Sequence, residues 1–376
     1  MPLYEGIGSA ISDKLIVVID LGTAYTKFGF TGEYAPRCII RSEITCKITG
    51  EPRKIMEYKD EQDLYDLLVE FLHVLYFKHA LFSPKDRSVV IVESLLCPTL
   101  FRETLAKVLF SYYEVSSILV LPSHLVSLCT LALDTALVID VGYSEAVAIP
   151  VCHGIPTLHA WQALPLAASA VHSNLKTVLT KSNIGLEIKD STIEDIKVRC
   201  CFVTPMKRAK LFATNSKEIE SCPAVQYPLG GSAELTITGK VRETSFELMF
   251  EEDNDYQSLP SMILESILKC SVDLRKSLAE NILIMGGTAM MPGFKARLRE
   301  ELYERLASDR YKNKLHIEKF MFLTPPAKDN YTAWLGGAIY GCTEFISMKA
   351  LTRDTYFKEN RVPDWANMLD NQIRAA

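Results

Sequence analysis

Short apolar runs alternate along the chain with stretches whose apolar positions recur every three or four residues. Leu15 to Ile19 is a compact apolar run and predicts a buried strand, with Phe28 to Phe30 and Arg37 to Ile40 as its partners. Leu64, Leu67, Leu68, Phe71 and Leu75 recur at helical spacing, which predicts an amphipathic helix over 61–79. Val89 to Val92 then reads as a strand, Thr99 to Tyr113 as a helix, Ile118 to Leu121 as a strand, His124 to Leu133 as a helix and Ala136 to Ile139 as a strand. This alternation indicates an α/β fold with a partly parallel sheet. Further on, Ile282 to Met285 predicts a buried strand ending in Gly286-Gly287-Thr288, ahead of a helix over Phe294 to Ala307. A second diglycine, Gly336-Gly337, lies inside a helix-like stretch beginning at Trp334.

One pattern occurs twice. Val18-Ile19-Asp20-Leu21-Gly22 returns 120 residues later as Val138-Ile139-Asp140-Val141-Gly142. Each copy reads as a β-hairpin whose turn begins with an aspartate. Glycine turns offer backbone N–H groups that cradle phosphate oxygens. Carboxylates at strand ends suit a magnesium ion that keeps its waters. Asp20 and Asp140 are the candidates for that role. Lys27 has two readings, a compact charge aimed at phosphate or a solvated hairpin residue.

The 376 residues suggest two or three domains. The 41 basic and 46 acidic residues leave a net charge of −5, which argues against a general electrostatic hold on nucleic acid. At 48% hydrophobic residues the chain is too apolar for a disordered protein. The ten cysteines form no C-x-x-C pair and are too scattered for a secreted disulfide framework. The opening Met1 to Asp13 does not read as a secretory signal. The most apolar stretch, Ile118 to Ile139, is broken by Pro122, His124 and Asp134, so no membrane span is expected. These features suggest a protein of the cytosol. No P-loop, dinucleotide fingerprint or H-E-x-x-H motif occurs. Gly142-Tyr143-Ser144-Glu145-Ala146 mimics a hydrolase nucleophile turn, but a strand rather than a helix is predicted to follow it.

At these residues the sequence resembles the actin family, from Val17 to about Trp365. The segment from Val17 to Arg37 is similar to the family's first phosphate hairpin, and Val138 to Gly142 to the start of the second. Asp195-Ile196-Lys197 resembles the helix on the adenosine side, Lys269 to Thr288 the approach to the nucleotide diglycine, and Tyr331 to Gly337 a further family segment. The resemblance implies an actin-like, ribonuclease-H-like duplicated fold: two domains around a nucleotide cleft, with a shortened small subdomain. The first domain is expected over 1–130 plus 332–376, with a shortened insertion at about 38–62, and the second over 131–331. It also implies a place for ATP with magnesium at Asp20, Gly22, Thr23, Ala24, Lys27, Asp140, Gly142, Lys197, Gly286, Gly287 and Thr288, with Asp20 and Asp140 reaching the metal through water.

Departures from the family pattern bear on activity. Ala24 stands where actin has a second glycine, and Tyr143-Ser144-Glu145 where it has Asp-Gly-Val. Ser123 aligns with the glutamine that positions the attacking water, and losing such a group typically costs about 10²–10⁴ in rate. Val198 replaces a ribose-binding glutamate, and Met291 a tyrosine beside the adenine. ATP is therefore expected as a structural ligand that is not turned over, and no catalytic residue is assigned.

The insertion after Arg37 is shorter than actin's, while the barbed-end groove is kept in sequence through Leu125, Leu128, Leu131, Ile339 and Phe345. A chain with one intact filament face can dock on a filament and stop it. Within the family this resembles the member that caps the pointed end of dynactin's short actin-like filament. Met1 to Gly6, Pro325 to Lys328, Ala333 to Ile339 and Val362 to Trp365 carry that likeness. It implies filament subunits of dynactin as partners through the barbed-end face and small pointed-end subunits through the altered face. It also implies a cytoplasmic, cytoskeletal place in dynein-driven transport on microtubules, with neither nucleic-acid binding nor membrane insertion. The alternatives are a nuclear actin-related subunit of a chromatin remodeller and an ATP-hydrolysing enzyme of the actin superfamily.

Overall fold

The computed structural model describes residues 15–46, 50–183, 188–214, 220–230 and 233–363. The opening Met1 to Gly6 and Trp365 lie outside them. Contacts divide the chain into two compact units, Met1–Asp134 with Pro325–Ala376, and Thr135–Thr324.

In the first unit, β1 (Val17–Leu21) runs antiparallel to β2 (Tyr25–Phe30), which pairs in turn with β3 (Cys38–Arg41). A two-stranded ribbon, β4 (Glu43–Thr45) and β5 (Pro52–Lys54), follows. Next comes α1 (Glu61–His73), whose N-cap Asp60 accepts a bond from the Asp63 N–H. β6 (Ser88–Glu93) lies parallel to β1, and β7 (Ser117–Pro122) parallel to β6. Val17, Val18 and Ile19 are wholly buried, as an unbroken apolar run in a parallel strand requires.

Three helices differ from the sequence expectation. The helix expected over 61–79 is α-helical only to His73; Val74–Ala80 is π-helical, and the turn ends on Leu81 in the left-handed region. The one expected from Thr99 to Tyr113 likewise divides into α2 (Thr99–Lys107) and π-helical Val108–Tyr112. α3 (Ser123–Cys129) stops short of Leu133. The Thr130 hydroxyl donates to the Ser127 carbonyl at 2.7 Å, and Ala132 turns to φ +52°. Such local hydroxyl bonds compete with helix propagation.

The second unit repeats the hairpin. β8 (Ala136–Val141) and β9 (Ala146–Cys152) are antiparallel, with β10 (Ile155–Pro156) and β11 (Gln162–Leu164) both on β9. The strand predicted after Gly142 is thus present as β9. Then come α4 (Ala168–Ser182), α5 (Asp190–Cys200), the ribbon of β12 (Val225–Gly230) and β13 (Ala233–Ile237), and α6 (Leu259–Lys269). β14 (Ile282–Met285) closes the sheet parallel to β8, and α7 (Phe294–Leu306) follows. Val171, Leu175 and Leu179 of α4, Ile193 and Ile196 of α5, and Ile263 and Ile267 of α6 belong to one core with Leu137, Ile139 and Ile284 of the sheet.

The chain then completes the first unit with α8 (Thr332–Gly341), α9 (Phe345–Lys349), β15 (Leu351–Thr352) and α10 (Arg353–Glu359). The full sheet order is β15-β7-β6-β1-β2-β3. Trp334 of α8 is wholly buried and its indole N–H donates to the Val18 carbonyl at 3.1 Å. A Cβ at Gly336 would lie 2.0 Å from the Val126 carbonyl, and one at Gly337 would lie 2.4 Å from Val92 Cγ2. The second diglycine therefore lets α8 lie flat on α3 and on the sheet. No helix among the described residues is long and apolar enough to cross a membrane.

Candidate functional site

The first hairpin gathers Asp20, Gly22, Thr23, Ala24 and Lys27. Strand register places Asp20 opposite Lys27, and Lys27 Nζ lies 3.1 Å from Asp20 Oδ2, both side chains 15% exposed. Lys27 is thus neither a solvated residue nor a charge without a counter-ion. Ser42 ties the turn down: its Oγ donates to the Gly22 carbonyl at 2.6 Å, and its N–H to the Ala24 carbonyl at 2.9 Å. Ser42 follows β3 directly, and no sequence motif singles it out.

Ser123 opens α3 and is buried, with its Oγ 3.1 Å from His124 Nδ1. The Ser123 side chain is therefore engaged by its own neighbour.

The second hairpin is held from outside itself. The Thr288 hydroxyl donates to the Gly142 carbonyl at 2.7 Å. The Ser169 N–H donates to the Tyr143 carbonyl at 2.7 Å, so the turn satisfies a first-turn donor of α4 that no helical carbonyl can reach. Gly286 adopts φ +101°, and a Cβ there would lie 2.3 Å from the Val141 carbonyl and 2.6 Å from Asp140 Oδ1. Only glycine fits that position. Gly287 faces open space. Asp140, Gly142, Gly286, Gly287 and Thr288 are thereby drawn together at the end of one sheet.

Lys197 of α5 joins this group through Tyr143. It is buried, its Nζ is 2.5 Å from Glu194 Oε2, and the Tyr143 ring centroid lies 6.0 Å away, within cation–π range. Burial alone pushes the Glu194 carboxyl up, but neighbouring His172 and Lys197 outweigh it and bring it down to about 2. His172 Nδ1 is 3.7 Å from the same carboxylate. Glu145 has the opposite balance: burial raises it, and a bond with Ser144 offsets only part of that. Val198 is exposed and Met291 buried.

Each hairpin, taken by itself, offers donors that suit a hydrated magnesium ion or a phosphate group. Hard carboxylate oxygens stand at both strand ends, with the open Gly287 turn beside Asp140. Lys27 and Lys197 each carry an internal counter-ion, Asp20 and Glu194 respectively. Cysteine chemistry is not supported. No disulfide is formed among the described residues, and burial pushes the thiols of Cys38, Cys201 and Cys270 up to about 11, far from the thiolate range.

The apolar face expected from Leu125, Leu128, Leu131, Ile339 and Phe345 needs revision. Ile339 and Phe345 are exposed, Leu125 and Leu131 are half-buried, and Leu128 belongs to the core. Leu133 and Met348 add exposed apolar surface that the sequence pattern does not single out.

Two α/β units, each with an Asp-x-Gly hairpin beside a parallel strand, define the actin class, and this chain belongs to the actin family, which matches residues 12–192 and 187–362. It is 28% identical over 439 aligned residues to actin-related protein 10 of Dictyostelium discoideum, covering 95% of this chain and 90% of that protein. It is also 26% identical over 380 residues to actin-like protein 9 of Bos taurus, covering 93% and 88%.

Proposed function

We propose that the chain is a non-catalytic actin-related subunit of dynactin, ending the complex's short actin-like filament at its pointed end. There it anchors the small pointed-end subunits and supports dynein-driven transport in the cytoplasm. The observation that carries this reading is an asymmetry in the first unit. Among the described residues, the insertion after β3 holds only the ribbon of three-residue strands β4 and β5 before α1. The α8–α9 segment, by contrast, keeps Ile339, Phe345 and Met348 exposed. A head-to-tail contact needs two different faces, and a subunit that keeps one of them halts the series. The near full-length likeness to a protein named actin-related protein 10 agrees with a specialised member of the family.

On this reading ATP with magnesium is a structural ligand that is not turned over. Asp20 and Asp140 would hold the ion through its waters, and Lys27 and Lys197 would be the lysines offered to the nucleotide. The Ser123–His124 pair and the Tyr143 ring over Lys197 occupy places where the family carries its water-positioning amide and its metal-side aspartate. The test is native purification of the tagged full chain, with mass spectrometry of its partners and of nucleotide released on denaturation. Recovery with the dynactin filament and intact ATP supports the proposal. Recovery with chromatin-remodelling subunits, or as a monomer that hydrolyses ATP, overturns it.

A further inference from the structure

One face of α2, running through Leu100, Glu103, Thr104 and Lys107, is not fully closed by the elements beside it. Between this face, the start of α1 and the end of α10 lies a cleft of about 260 Å³. Pockets that enclose drug-sized molecules run to roughly 300–1,000 Å³, so this one admits a small molecule or a single side chain. The α10 wall is fixed in place. The buried Tyr356 ring stacks on Phe110 with centroids 4.7 Å apart, and the Asn360 N–H donates to the Tyr356 carbonyl at 2.7 Å.

Two groups in the cleft have bonding capacity that the fold does not use. Thr104 is 1% exposed, and its hydroxyl has no hydrogen-bond partner. Other helical threonines in the chain turn theirs back on the carbonyl four residues earlier, Thr177 on Ser173, Thr180 on Lys176 and Thr244 on Lys240. Thr104 makes no such bond to Leu100, although burial makes an unmade bond costly. The second group is Glu103. It is half-buried, its Oε1 accepts the Val362 N–H at 3.3 Å, and no cation pairs with it among the described residues. The neighbouring cations are committed elsewhere. Lys107 Nζ lies 2.9 Å from Glu61 Oε1, and Arg353 stands by Glu114 and by the Phe357 ring.

We infer that this cleft binds an alkylammonium group, carried by a free aliphatic amine or by a lysine side chain of another protein. An ammonium offers three N–H donors and no acceptor. The Glu103 carboxylate, the Thr104 hydroxyl and the Asn360 side-chain carbonyl are the acceptors that meet them. Phe357, 54% exposed, and Leu100, 40% exposed, cover the aliphatic stem. An anion would be repelled by Glu103, and a neutral alcohol would satisfy Thr104 but leave that carboxylate uncompensated. The cleft shares no residue with either hairpin or with the α8–α9 segment, so the inference does not rest on the filament-ending proposal.

The test titrates the full chain with cadaverine and, separately, with Nα-acetyl-lysine methylamide, followed by ligand-observed nuclear magnetic resonance. Saturable binding that weakens as salt is raised is expected, and the neutral Nα-acetyl-norleucine methylamide should not bind. Tighter binding of the blocked lysine assigns the site to a protein side chain, and tighter binding of cadaverine to a free amine. Glu103→Gln keeps an oxygen for the Val362 N–H and should weaken binding at least about tenfold, and the isosteric Thr104→Val about threefold. Thr104→Val should also melt no lower than the parent chain, because the hydroxyl it removes bonds to nothing in the fold. No saturable binding, equal binding of the norleucine analogue, unchanged affinity in Glu103→Gln, or a lowered melting temperature in Thr104→Val would each overturn the inference.

Discussion

The two hairpins share one motif and are held in opposite ways. In β1–β2 the charge is balanced within the hairpin, where Lys27 faces Asp20 across the strands and Ser42 binds the turn carbonyls. In β8–β9 the residue opposite Asp140 is Val147, and the turn is fixed by Thr288, by the first turn of α4 and by the close approach of Gly286. The first balances its charge internally and leans on Ser42 at the end of the next strand, whereas the second is a junction of several elements. A duplicated sequence therefore need not keep its internal contacts, provided neighbouring elements take over the same backbone groups.

The contrast can be broken most sharply at Gly286. Gly286→Ala forces a Cβ into the Val141 carbonyl at a positive φ. We expect a loss of about 3 kcal/mol or more, measured by denaturant unfolding. Next comes Lys197→Met, which leaves the Glu194 carboxylate, 18% exposed, beside His172 without its lysine. About 2 kcal/mol should be lost, since breaking a largely buried pair strands a charge.

Glu194 also sets a pH signature. Its carboxyl lies well below the usual value, so its contribution is present above the unfolded carboxylate range and is lost as pH falls from about 4.5 towards about 2. Acid titration of unfolding should show this decline in the parent chain and a shallower one in Glu194→Gln. In the first hairpin, Ser42→Ala removes bonds to the turn and should cost about 1 kcal/mol in the same denaturation measurement. The smallest effect belongs to Gly142→Ala. Its Cβ would meet nothing nearer than the Glu145 carbonyl at 3.6 Å, so we expect less than about 1 kcal/mol. If Gly142→Ala proved as damaging as Gly286→Ala, the picture of a turn held from outside would be wrong.

Much of this architecture is legible in the sequence. The buried runs of β1, β6, β8 and β14 are nearly pure apolar segments, and the repeated Asp-x-Gly marks both hairpins by its recurrence alone. The π-helical ends of the helices before Leu81 and Tyr113 are not legible, because a change from i+4 to i+5 bonding leaves the apolar spacing almost unaltered. The Asp20–Lys27 pair requires the strand register, which the hydrophobic pattern alone does not supply. The Glu194–Lys197 pair stands at helical i, i+3 spacing, so its signal is present in the sequence; it is masked because the lysine's charge draws the reading towards phosphate rather than towards its neighbour. Tyr143 over Lys197 depends on tertiary packing between a turn and a distant helix, for which no spacing rule exists.

The indole of Trp334 and the carbonyl of Val18 are separated by 316 positions in the chain. On the ribosome, at roughly 5–20 residues per second, Val18 would wait roughly 15–60 s for its partner to emerge. The continuous segment Thr135–Thr324 is complete before that moment, while the first sheet still lacks the helix that covers Val18 and Val92. The first sheet thus stays uncovered throughout synthesis of the second unit, and the chain closes its first-made element last.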